Sequence, residues 1–427
     1  MNESKIPADV IAPLFNPASF KDRPAMERLL TRIRHDYPLS IAEVPGYDPH
    51  WFVTKYKDAR EITRQDHLFH SGDRSKTLVS QFAEQMMKDY SGGKPHIFRT
   101  LVHMDPPDHT AHRALVKDFF MPQSVNGFEG QLRDLARRYV DDMAARGGEC
   151  DFASDIAALY PLEVVCTLIG LPKQDHHLML RLTQWFLSYA DPDLCRPGSV
   201  LTNPEHQIAT WQIVYEEFKD YYGKVIADRQ ACPRSDLASI ISNGMVNGRP
   251  MDERSMISYF VIASTAGHDT TAATTANAMW VLAERPELLA RMKADPSLVA
   301  GFVEEAIRWA VPAQVFIRSA VEDYELSGRQ IRKGDLLYIS YLSANRDEEV
   351  FEDPFEFRID RTPNRHIGFG YGQHVCVGQH LARLELRVFW EELIKRLKSV
   401  EMAGEGRWQE SEFVCGPKSV PIRYEME

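Results

Sequence analysis

The sequence has no long apolar run and no paired-cysteine motif, and both absences restrict what the protein can be. No stretch of its 427 residues approaches the roughly 18 apolar residues of a membrane span. The N-terminal segment MNESKIPADVIAPLF has neither the basic region nor the apolar core of a signal peptide. Six scattered cysteines without CxxC pairs favour free thiols over a disulfide framework. We therefore expect a cytoplasmic protein that does not enter a membrane.

Excess positive charge and flexible linkers are also missing. The 50 Lys and Arg residues are outnumbered by 61 Asp and Glu residues, and the net charge of −11 disfavours nucleic acid as a general partner. We find no internal repeat, low-complexity tract or Gly/Ser linker. The sequence therefore predicts a single domain over residues 1–427.

Apolar residues recur every three to four positions in several segments, which is the pattern of amphipathic helices. These segments are AMERLLTRIRHDY, FEGQLRDLARRYVDDMAARG, TWQIVYEEFKDYYGKVIADR, ELLARMKAD and LARLELRVFWEELIKRLKSV. Shorter pieces with strand character are HWFVTKY, VFIRSAV, DLLYISYL and VPIRYEME. The pattern predicts a mainly α fold with small β-sheets.

The segment MISYFVIASTAGHDTTAATTANAMWVLAERP has the length of a long helix, although its middle contains Gly267 and several threonines, which are poor helix formers. Locally unfavourable residues inside a helix often mark a functional site. A close crossing with another helix would also require small residues. The sequence alone leaves both explanations open.

Cys376 lies in the stretch IGFGYGQHVCVGQHLARLE, where glycines stand on both sides of it. A buried structural thiol is the commonest fate of a lone cysteine, but it would not require Phe369, Gly370, Gly372 and Gly378 nearby. The glycines let backbone N–H groups approach the sulfur, and a helix beginning near Gly378 would direct its positive end toward it. Both effects favour the thiolate, which is the form of cysteine that binds metals.

Two other interpretations explain this stretch less well. His374, Cys376 and His380 are possible zinc ligands, but no companion CxxC or HxxxH supplies a fourth. The GFGYG segment is similar to a dinucleotide-binding turn, but the third glycine of GxGxxG is missing and no strand-helix unit with a downstream acid follows.

The stretch FGYGQHVCVG resembles the haem-binding loop of the cytochrome P450 family, F-x-x-G-x-[HR]-x-C-x-G, at Phe369, Gly372, His374, Cys376 and Gly378. The resemblance covers the chain from about residue 40 onward and is strongest to the bacterial α-terpineol hydroxylase group and its alkylaromatic-hydroxylating relatives. It implies the P450 fold, a helix-rich triangular prism with small β-sheets. It also implies haem b (iron protoporphyrin IX), with Cys376 as the thiolate ligand of the iron.

Two further motifs carry expectations about the site. The AGHDTT segment resembles the oxygen-activation motif [AG]-G-x-[DE]-T-T and implies that Asp269 and Thr270 are catalytic residues that deliver protons. The MDPPDHTAHR segment resembles the family's D-P-P-x-H-x-x-x-R segment, whose cations neutralise the haem propionates. The residues implied in that role are His109, Arg113, Arg318 and His374.

The EAIR segment resembles the family's E-x-x-R pair, here Glu305 and Arg308 on one helical face. The family completes this pair with an arginine, which we place at Arg361. One departure is that FEFRIDR carries Arg358 where bacterial members usually have Asp in F-D-x-x-R.

The positions that match the family's substrate pocket are uncharged. They are Phe98, Leu101, Phe186, Ile262, Ala263, Ala266, Val315, Phe316, Phe413 and Val414. Because an unpaired charge is costly in an apolar pocket, we expect a neutral hydrophobic substrate of monoterpene or alkylbenzene size. Examples are p-cymene and α-terpineol, hydroxylated at a methyl or benzylic/allylic carbon. A larger lipid, such as a fatty acid or steroid, is the alternative.

The resemblance also implies O2 as co-substrate and a ferredoxin as electron donor, reduced by an NAD(P)H-dependent ferredoxin reductase. Arg383 is the leading candidate contact for the ferredoxin, and Lys117 is the second. A peroxygenase or dehydratase on this fold would lack the Asp-Thr pair that this sequence keeps, and a haem sensor would need a signalling segment.

Overall fold

Helices make up most of the fold, and the structure, a computed structural model, describes residues 4–201 and 203–427. The α-helices are α1 (Ala8–Ile11), α2 (Arg23–Asp36), α3 (Tyr56–Arg64), α4 (Gln81–Tyr90), α5 (Asp108–Lys117), α6 (Pro122–Asn126), α7 (Glu129–Ala145), α8 (Tyr160–Ile169), α9 (His176–Leu187), α10 (Pro204–Ala231), α11 (Leu237–Ser242), α12 (Glu253–Glu284), α13 (Pro286–Ala294), α14 (Leu298–Ala310), α15 (Tyr341–Ala344) and α16 (Gln379–Arg396). None of the helices in the described ranges is long and apolar enough to cross a membrane.

The strands form small sheets beside the helices. They are β1 (Ser40–Ala42), β2 (His50–Val53), β3 (Phe69–His70), β4 (Glu149–Asp151), β5 (Met245–Val246), β6 (Arg249–Pro250), β7 (Val315–Ala320), β8 (Tyr324–Leu326), β9 (Arg329–Ile331), β10 (Leu336–Ser340), β11 (Leu397–Met402), β12 (Arg407–Trp408), β13 (Pro417–Ser419) and β14 (Pro421–Met426). The largest sheet has the order β1-β2-β10-β7-β3, in which β2 and β10 are parallel and the other neighbours antiparallel. A second sheet has the order β11-β14-β4.

The periodicity of the sequence predicts these elements well. The five amphipathic segments overlap α2, α7, α10, α13 and α16, and the four strand-like pieces contain β2, β7, β10 and β14. The last helix prediction extends too far, because residues 397–400 leave α16 and pair with β14. The mainly α fold with small sheets is confirmed, whereas the single domain over residues 1–427 stays a prediction.

The long helix α12 crosses α8 very closely. Its N-terminus is capped by Asp252, whose side chain accepts the Ser255 backbone N–H at 2.9 Å. A Cβ atom on Gly267 would lie 2.8 Å from Cγ2 of Val165 on α8, so only glycine fits there without movement. Close packing therefore explains Gly267, while Ala266 beside it is exposed in the middle of the same helix.

The segment of residues 367–378, here called the cysteine loop, is held against α3 just before α16 begins. Gly372 has φ +75°, and a Cβ there would lie 2.0 Å from the Thr63 carbonyl oxygen, so the loop can approach α3 only with glycine at this position. The Cys376 backbone N–H donates to the Phe369 carbonyl oxygen at 2.9 Å, which closes the loop. The predicted helix start near Gly378 is confirmed, since α16 starts at Gln379.

Candidate active site

The Cys376 thiol is accessible to solvent, although the protein packed around it desolvates the sulfur. Burial raises the pKa of the thiol, while the Gly378 backbone N–H and the charges of Arg113 and Arg383 oppose that rise. The loop thus supplies the interactions that stabilise a thiolate once a metal ion binds it.

Arg113 links α5 to the cysteine loop. Its Nη2 donates to the Val375 carbonyl oxygen at 2.7 Å, directly beside Cys376. Burial lowers the pKa of Arg113, and the nearby Cys376 sulfur counteracts that effect. A guanidinium has five N–H donors, and this bond uses only one of them. The other N–H groups of Arg113 can bind an anion.

Two buried histidines stack on one another in the same region. His109 from α5 and His374 from the cysteine loop have ring centroids 4.0 Å apart. Burial, followed by the charge of Arg113, lowers the pKa of His109 to about 4. Burial, followed by the charge of Arg318, lowers the pKa of His374 to about 2. The two rings are therefore neutral and can donate hydrogen bonds without adding charge.

Arg318 and Lys76 form a buried cationic pair, and no carboxylate of the described residues forms an ion pair with either of them. Arg318 on β7 donates to its neighbour's carbonyl oxygen, Ile317 O, at 3.0 Å. The Ile317 backbone N–H in turn donates to the Lys76 carbonyl oxygen at 2.8 Å, which places the two side chains next to each other. Among the residues that the structure describes, Lys76 Nζ has no hydrogen-bond partner. Burial, followed by the charge of Arg318, lowers the pKa of Lys76 well below its ordinary value.

This arrangement fits a group that carries two carboxylates. Buried cations are costly unless an anion pairs with them, and Arg113 and Arg318 are the cations of this region. His109 and His374 lie in the same region as neutral hydrogen-bond donors, which corrects the expectation that they act as cations. Haem propionates would supply those anions, and Lys76 is a further candidate partner. Sequence reasoning missed Lys76, because the position lies in an irregular segment and only its pairing with β7 brings it near Arg318.

The E-x-x-R pair is fully buried. Arg308 donates to the two carboxylate oxygens of Glu305 at 2.7 and 2.8 Å, and both side chains are 0% exposed. Arg361 donates from Nε to both oxygens at 3.2 Å. Although burial raises the pKa of Glu305, the hydrogen bonds and charge of Arg308 outweigh that effect and lower it overall.

The departure at Arg358 does not disturb this network. The Arg358 backbone N–H, not its side chain, donates to Glu305 at 2.9 Å. Its guanidinium points outward and pairs with Glu352 at 3.1 Å. The side chain at position 358 is therefore free to differ from the family's aspartate.

The central turn of α12 presents a hydroxyl and a carboxylate. Thr270 donates to the Ala266 carbonyl oxygen at 2.7 Å and lines the main cavity. Asp269 lies 2.9 Å from Nδ1 of His268 but is misaligned for a hydrogen bond with it. The other ring nitrogen of His268 donates to the Ala158 carbonyl oxygen at 2.8 Å. Thr270 thus faces the cavity directly, whereas Asp269 stands to one side, next to a histidine that the sequence reasoning overlooked.

A buried acid on α16 stands behind this turn. Burial raises the pKa of Glu385 to about 8, and a hydrogen bond with the Thr271 side chain lowers it by a smaller amount. Glu385 Oε1 has no hydrogen-bond partner in the described part of the chain. A carboxyl group with this pKa holds its proton at neutral pH and can release it. Its signal in the sequence is a single Glu on the apolar side of LARLELRVF.

The main cavity lies between α12, β7 and the segment before β13. Seven of the predicted substrate positions line it, and they are Phe98, Phe186, Ile262, Ala266, Phe316, Phe413 and Val414. The cavity has a volume of about 180 Å³. Aromatic and aliphatic side chains dominate its wall, as expected for a hydrophobic ligand.

Three predicted substrate positions do not line the cavity. Val315 is fully buried among core residues on the opposite face of β7 from Phe316, because successive side chains of a strand alternate. Leu101 is buried in the core beside Met104, and its neighbours Val102 and His103 face the cavity instead. Ala263 packs against the same core from α12.

The expectation of an uncharged wall is incomplete, because the cavity also has polar lining residues. They are Ser75, Lys76, Thr77, His96, Thr100, His103, Tyr189, Thr265, Thr270 and Glu412. His96 and His103 stack with centroids 4.6 Å apart, and burial lowers the pKa of His96 to about 3. The charged members Lys76 and Glu412 come from irregular segments that motif matching did not include.

The carboxylates of a haem would pair with the buried cations, and its iron would bind the Cys376 thiol. Together with the helical fold, these features define a haem-thiolate monooxygenase. The family model described as Cytochrome P450 matches residues 19–422. The chain belongs to the cytochrome P450 family, which confirms the fold and the enzyme class that the sequence predicts.

Its relatives include bacterial P450 proteins of different names. The chain is 41% identical over 419 residues to Cytochrome P450-terp of a Pseudomonas species, covering 98% of each chain. The crystal structure of CYP108D1 from Novosphingobium aromaticivorans matches with a TM-score of 0.91 and 36% identity, over 99% of this chain and 100% of that one. A methyl-branched lipid omega-hydroxylase of Mycobacterium bovis is 31% identical over 402 residues, covering 92% of this chain and 89% of that protein.

Proposed function

We propose that this monooxygenase hydroxylates a methyl or benzylic/allylic C–H bond of a small neutral substrate, such as p-cymene or α-terpineol. The observation that carries the proposal is the compact, mainly apolar cavity of about 180 Å³ beside Thr270. Pockets for drug-sized ligands are roughly 300–1,000 Å³, so a smaller molecule suits this one. The similarity to Cytochrome P450-terp supports the same substrate size.

The cofactor in this proposal is haem b, held by Cys376 through its sulfur and by the cations around its carboxylates. When bound, the haem supplies oxygen activation, and a thiolate ligand favours cleavage of the O–O bond. Cys376 is fixed for this role by its backbone N–H bond to Phe369. Arg318 and Lys76, with which no carboxylate of the described residues forms an ion pair, would hold the carboxylate end of the haem.

The protein's own groups manage protons and water. The Thr270 hydroxyl stands at the cavity wall, where it orders a proton donor for oxygen. Glu385, which is hydrogen-bonded to the Thr271 side chain, holds a proton at neutral pH that it can donate. The aromatic wall, which includes Phe98 and Phe316, keeps bulk water away from this polar turn.

The partners in the proposal are O2 and a ferredoxin that is reduced by an NAD(P)H-dependent ferredoxin reductase. The face beside the cysteine loop, formed in part by Arg383, Arg387 and His380, is the proposed docking region for the ferredoxin. Lys117 is exposed at the end of α5 and is the second candidate contact. A cytoplasmic location also belongs to this proposal and is supported by the six free cysteines.

The substrate proposal is tested by titrating the purified haem-loaded protein with p-cymene, α-terpineol, a long-chain fatty acid and a steroid. We expect a spin-state shift and coupled product formation with p-cymene or α-terpineol. The lipid alternative is favoured by the resemblance to the methyl-branched lipid omega-hydroxylase. Tight binding and coupled turnover of the fatty acid or the steroid, with neither small compound, would overturn the proposal.

A further inference from the structure

The cavity contains a buried carboxyl group with one unused oxygen. Glu412 lines the cavity and is 4% exposed. Its Oε1 accepts a hydrogen bond from the Tyr189 hydroxyl, which lines the same cavity. Its Oε2 is buried and has no hydrogen-bond partner within residues 4–201 and 203–427. Buried polar atoms are nearly always hydrogen-bonded in proteins. The partner of this oxygen must therefore come from outside the described chain.

The backbone around Glu412 holds it in place. The Gln314 backbone N–H donates to the Phe413 carbonyl oxygen at 2.9 Å, and the Cys415 backbone N–H donates to the Pro312 carbonyl oxygen at 2.9 Å. The Gln314 side chain adds a bond from Nε2 to the Ser411 carbonyl oxygen at 3.3 Å. These bonds on both sides of Glu412 prevent the segment from turning outward, so water outside the protein cannot readily satisfy Oε2.

The groups that face Glu412 are phenols rather than cations. The carboxyl group lies close enough to Tyr47, Tyr189 and Tyr338 to raise the pKa of each phenol, in addition to the larger effect of burial. No Lys or Arg of the described residues forms an ion pair with Glu412. No ion pair within the described residues therefore balances a carboxylate at this position, so a hydrogen-bonding ligand suits the unpaired oxygen.

We infer that Glu412 is a specificity residue that binds a hydroxyl group of the substrate through Oε2, with Tyr189 as its positioning residue. This inference rests on the proposed function and narrows it from neutral monoterpenes and alkylbenzenes to their alcohols. A hydroxyl both donates and accepts, so it pairs with the carboxyl group in either protonation state. A hydrocarbon leaves Oε2 unpaired, and a fatty-acid carboxylate would place a second acid beside the first.

The test uses two ligands of nearly the same shape, α-terpineol and its deoxy analogue p-menth-1-ene. Dissociation constants are measured from the spin-state shift of the haem-loaded wild type, Glu412→Leu, Glu412→Gln and the control Glu410→Gln. Glu410 lies in the same segment and pairs with Lys21 outside the cavity. We expect the wild type to prefer the alcohol by about tenfold, as one buried hydrogen bond predicts. Glu412→Leu should abolish that preference, Glu412→Gln should keep part of it, and Glu410→Gln should leave it unchanged.

The outcomes separate this inference from the substrate proposal. Equal affinity of the wild type for the two ligands would overturn the inference without any variant, even if Glu412→Leu did not fold. An equal weakening of both ligands in Glu412→Leu would also overturn it, because a structural role predicts that result. If neither small ligand binds, the proposed substrate size is wrong, and the same comparison with 1-decanol and decane then decides whether Glu412 selects a hydroxyl.

Discussion

Arg383 and Glu304 form a close ion pair at the face of the cysteine loop. Nε of Arg383 donates to Glu304 Oε1 at 2.6 Å, and Nη2 donates to Oε2 at 3.2 Å. The guanidinium also stacks 4.6 Å from the Phe369 ring. Although burial raises the pKa of Glu304, hydrogen bonds from His366 and Arg383 lower it to about 2, so the carboxylate stays charged. The leading candidate contact for the electron donor is therefore already neutralised within the protein.

This pairing changes how the donor contact should be tested. Arg383→Glu would set two carboxylates against each other, so Arg383→Gln is the cleaner change. We expect it to raise the ferredoxin concentration for half-maximal turnover a few-fold at low salt, with a smaller effect at high salt because exposed charges act mainly on encounter. Lys117→Gln should have a weaker effect. The matched control is Arg423→Gln on β14, and an unchanged half-saturation value for Arg383→Gln at low salt removes Arg383 from the interface.

The buried carboxylate of Glu305 predicts a large loss of stability when one of its arginines is removed. Arg361→Ala removes one of the arginines that pair with the Glu305 carboxylate, which is 0% exposed. We therefore expect the free energy of unfolding to fall by about 3–5 kcal/mol. Arg358→Ala is the control, because its side chain pairs with exposed Glu352 and should cost little stability. Urea unfolding of the haem-loaded proteins measures both values. Equal losses in the two variants would show that Arg361 is not part of a buried network.

Cys376 is expected to be the axial ligand of the haem iron. Cys376→Ser should abolish the thiolate-type absorption band of the reduced carbon-monoxide complex, because a serine hydroxyl does not replace the thiolate. Cys232→Ser is the control, since Cys232 is exposed and lies far along the chain at the end of α10. Survival of the thiolate-type spectrum in Cys376→Ser would refute the assignment of the ligand.

The sequence predicts those parts of the site that short local motifs define. Cys376 with its glycines, and Glu305 with Arg308, are fixed by spacing within one loop or one helix. Val315 does not line the cavity, because side chains alternate along β7 and a motif match does not resolve which face a residue occupies. Lys76 and Glu412 could not be found, because long-range contacts with β7 and with residues 312–314 bring them to the cavity.

Thr270 and Asp269 are expected to control proton delivery rather than substrate affinity. Thr270→Ala should leave the dissociation constant for substrate nearly unchanged and divert electrons to hydrogen peroxide, because the hydroxyl at the cavity wall is lost. Asp269→Asn should slow turnover. The control is Thr275→Ala, whose hydroxyl donates to the Thr271 carbonyl oxygen away from the cavity. The ratio of product to oxygen consumed measures the effect, and unchanged coupling in Thr270→Ala would exclude a role for its hydroxyl.

Glu385 predicts a pH dependence of stability whose sign follows from its raised pKa. The ordinary pKa of a glutamate is 4.5, and burial raises that of Glu385 to about 8 in the folded protein. Between these pH values the folded protein keeps a proton on Glu385 that the unfolded chain releases. The contribution of Glu385 to the free energy of unfolding is therefore full below pH 4.5 and is lost as the pH rises toward 8. Glu385→Gln removes this dependence. Relative to wild type, the variant should gain about 1.4 kcal/mol of unfolding free energy per pH unit between pH 5 and 8. The exposed Glu425→Gln is the control, and parallel pH profiles for wild type and Glu385→Gln would show that Glu385 holds no proton in the folded state.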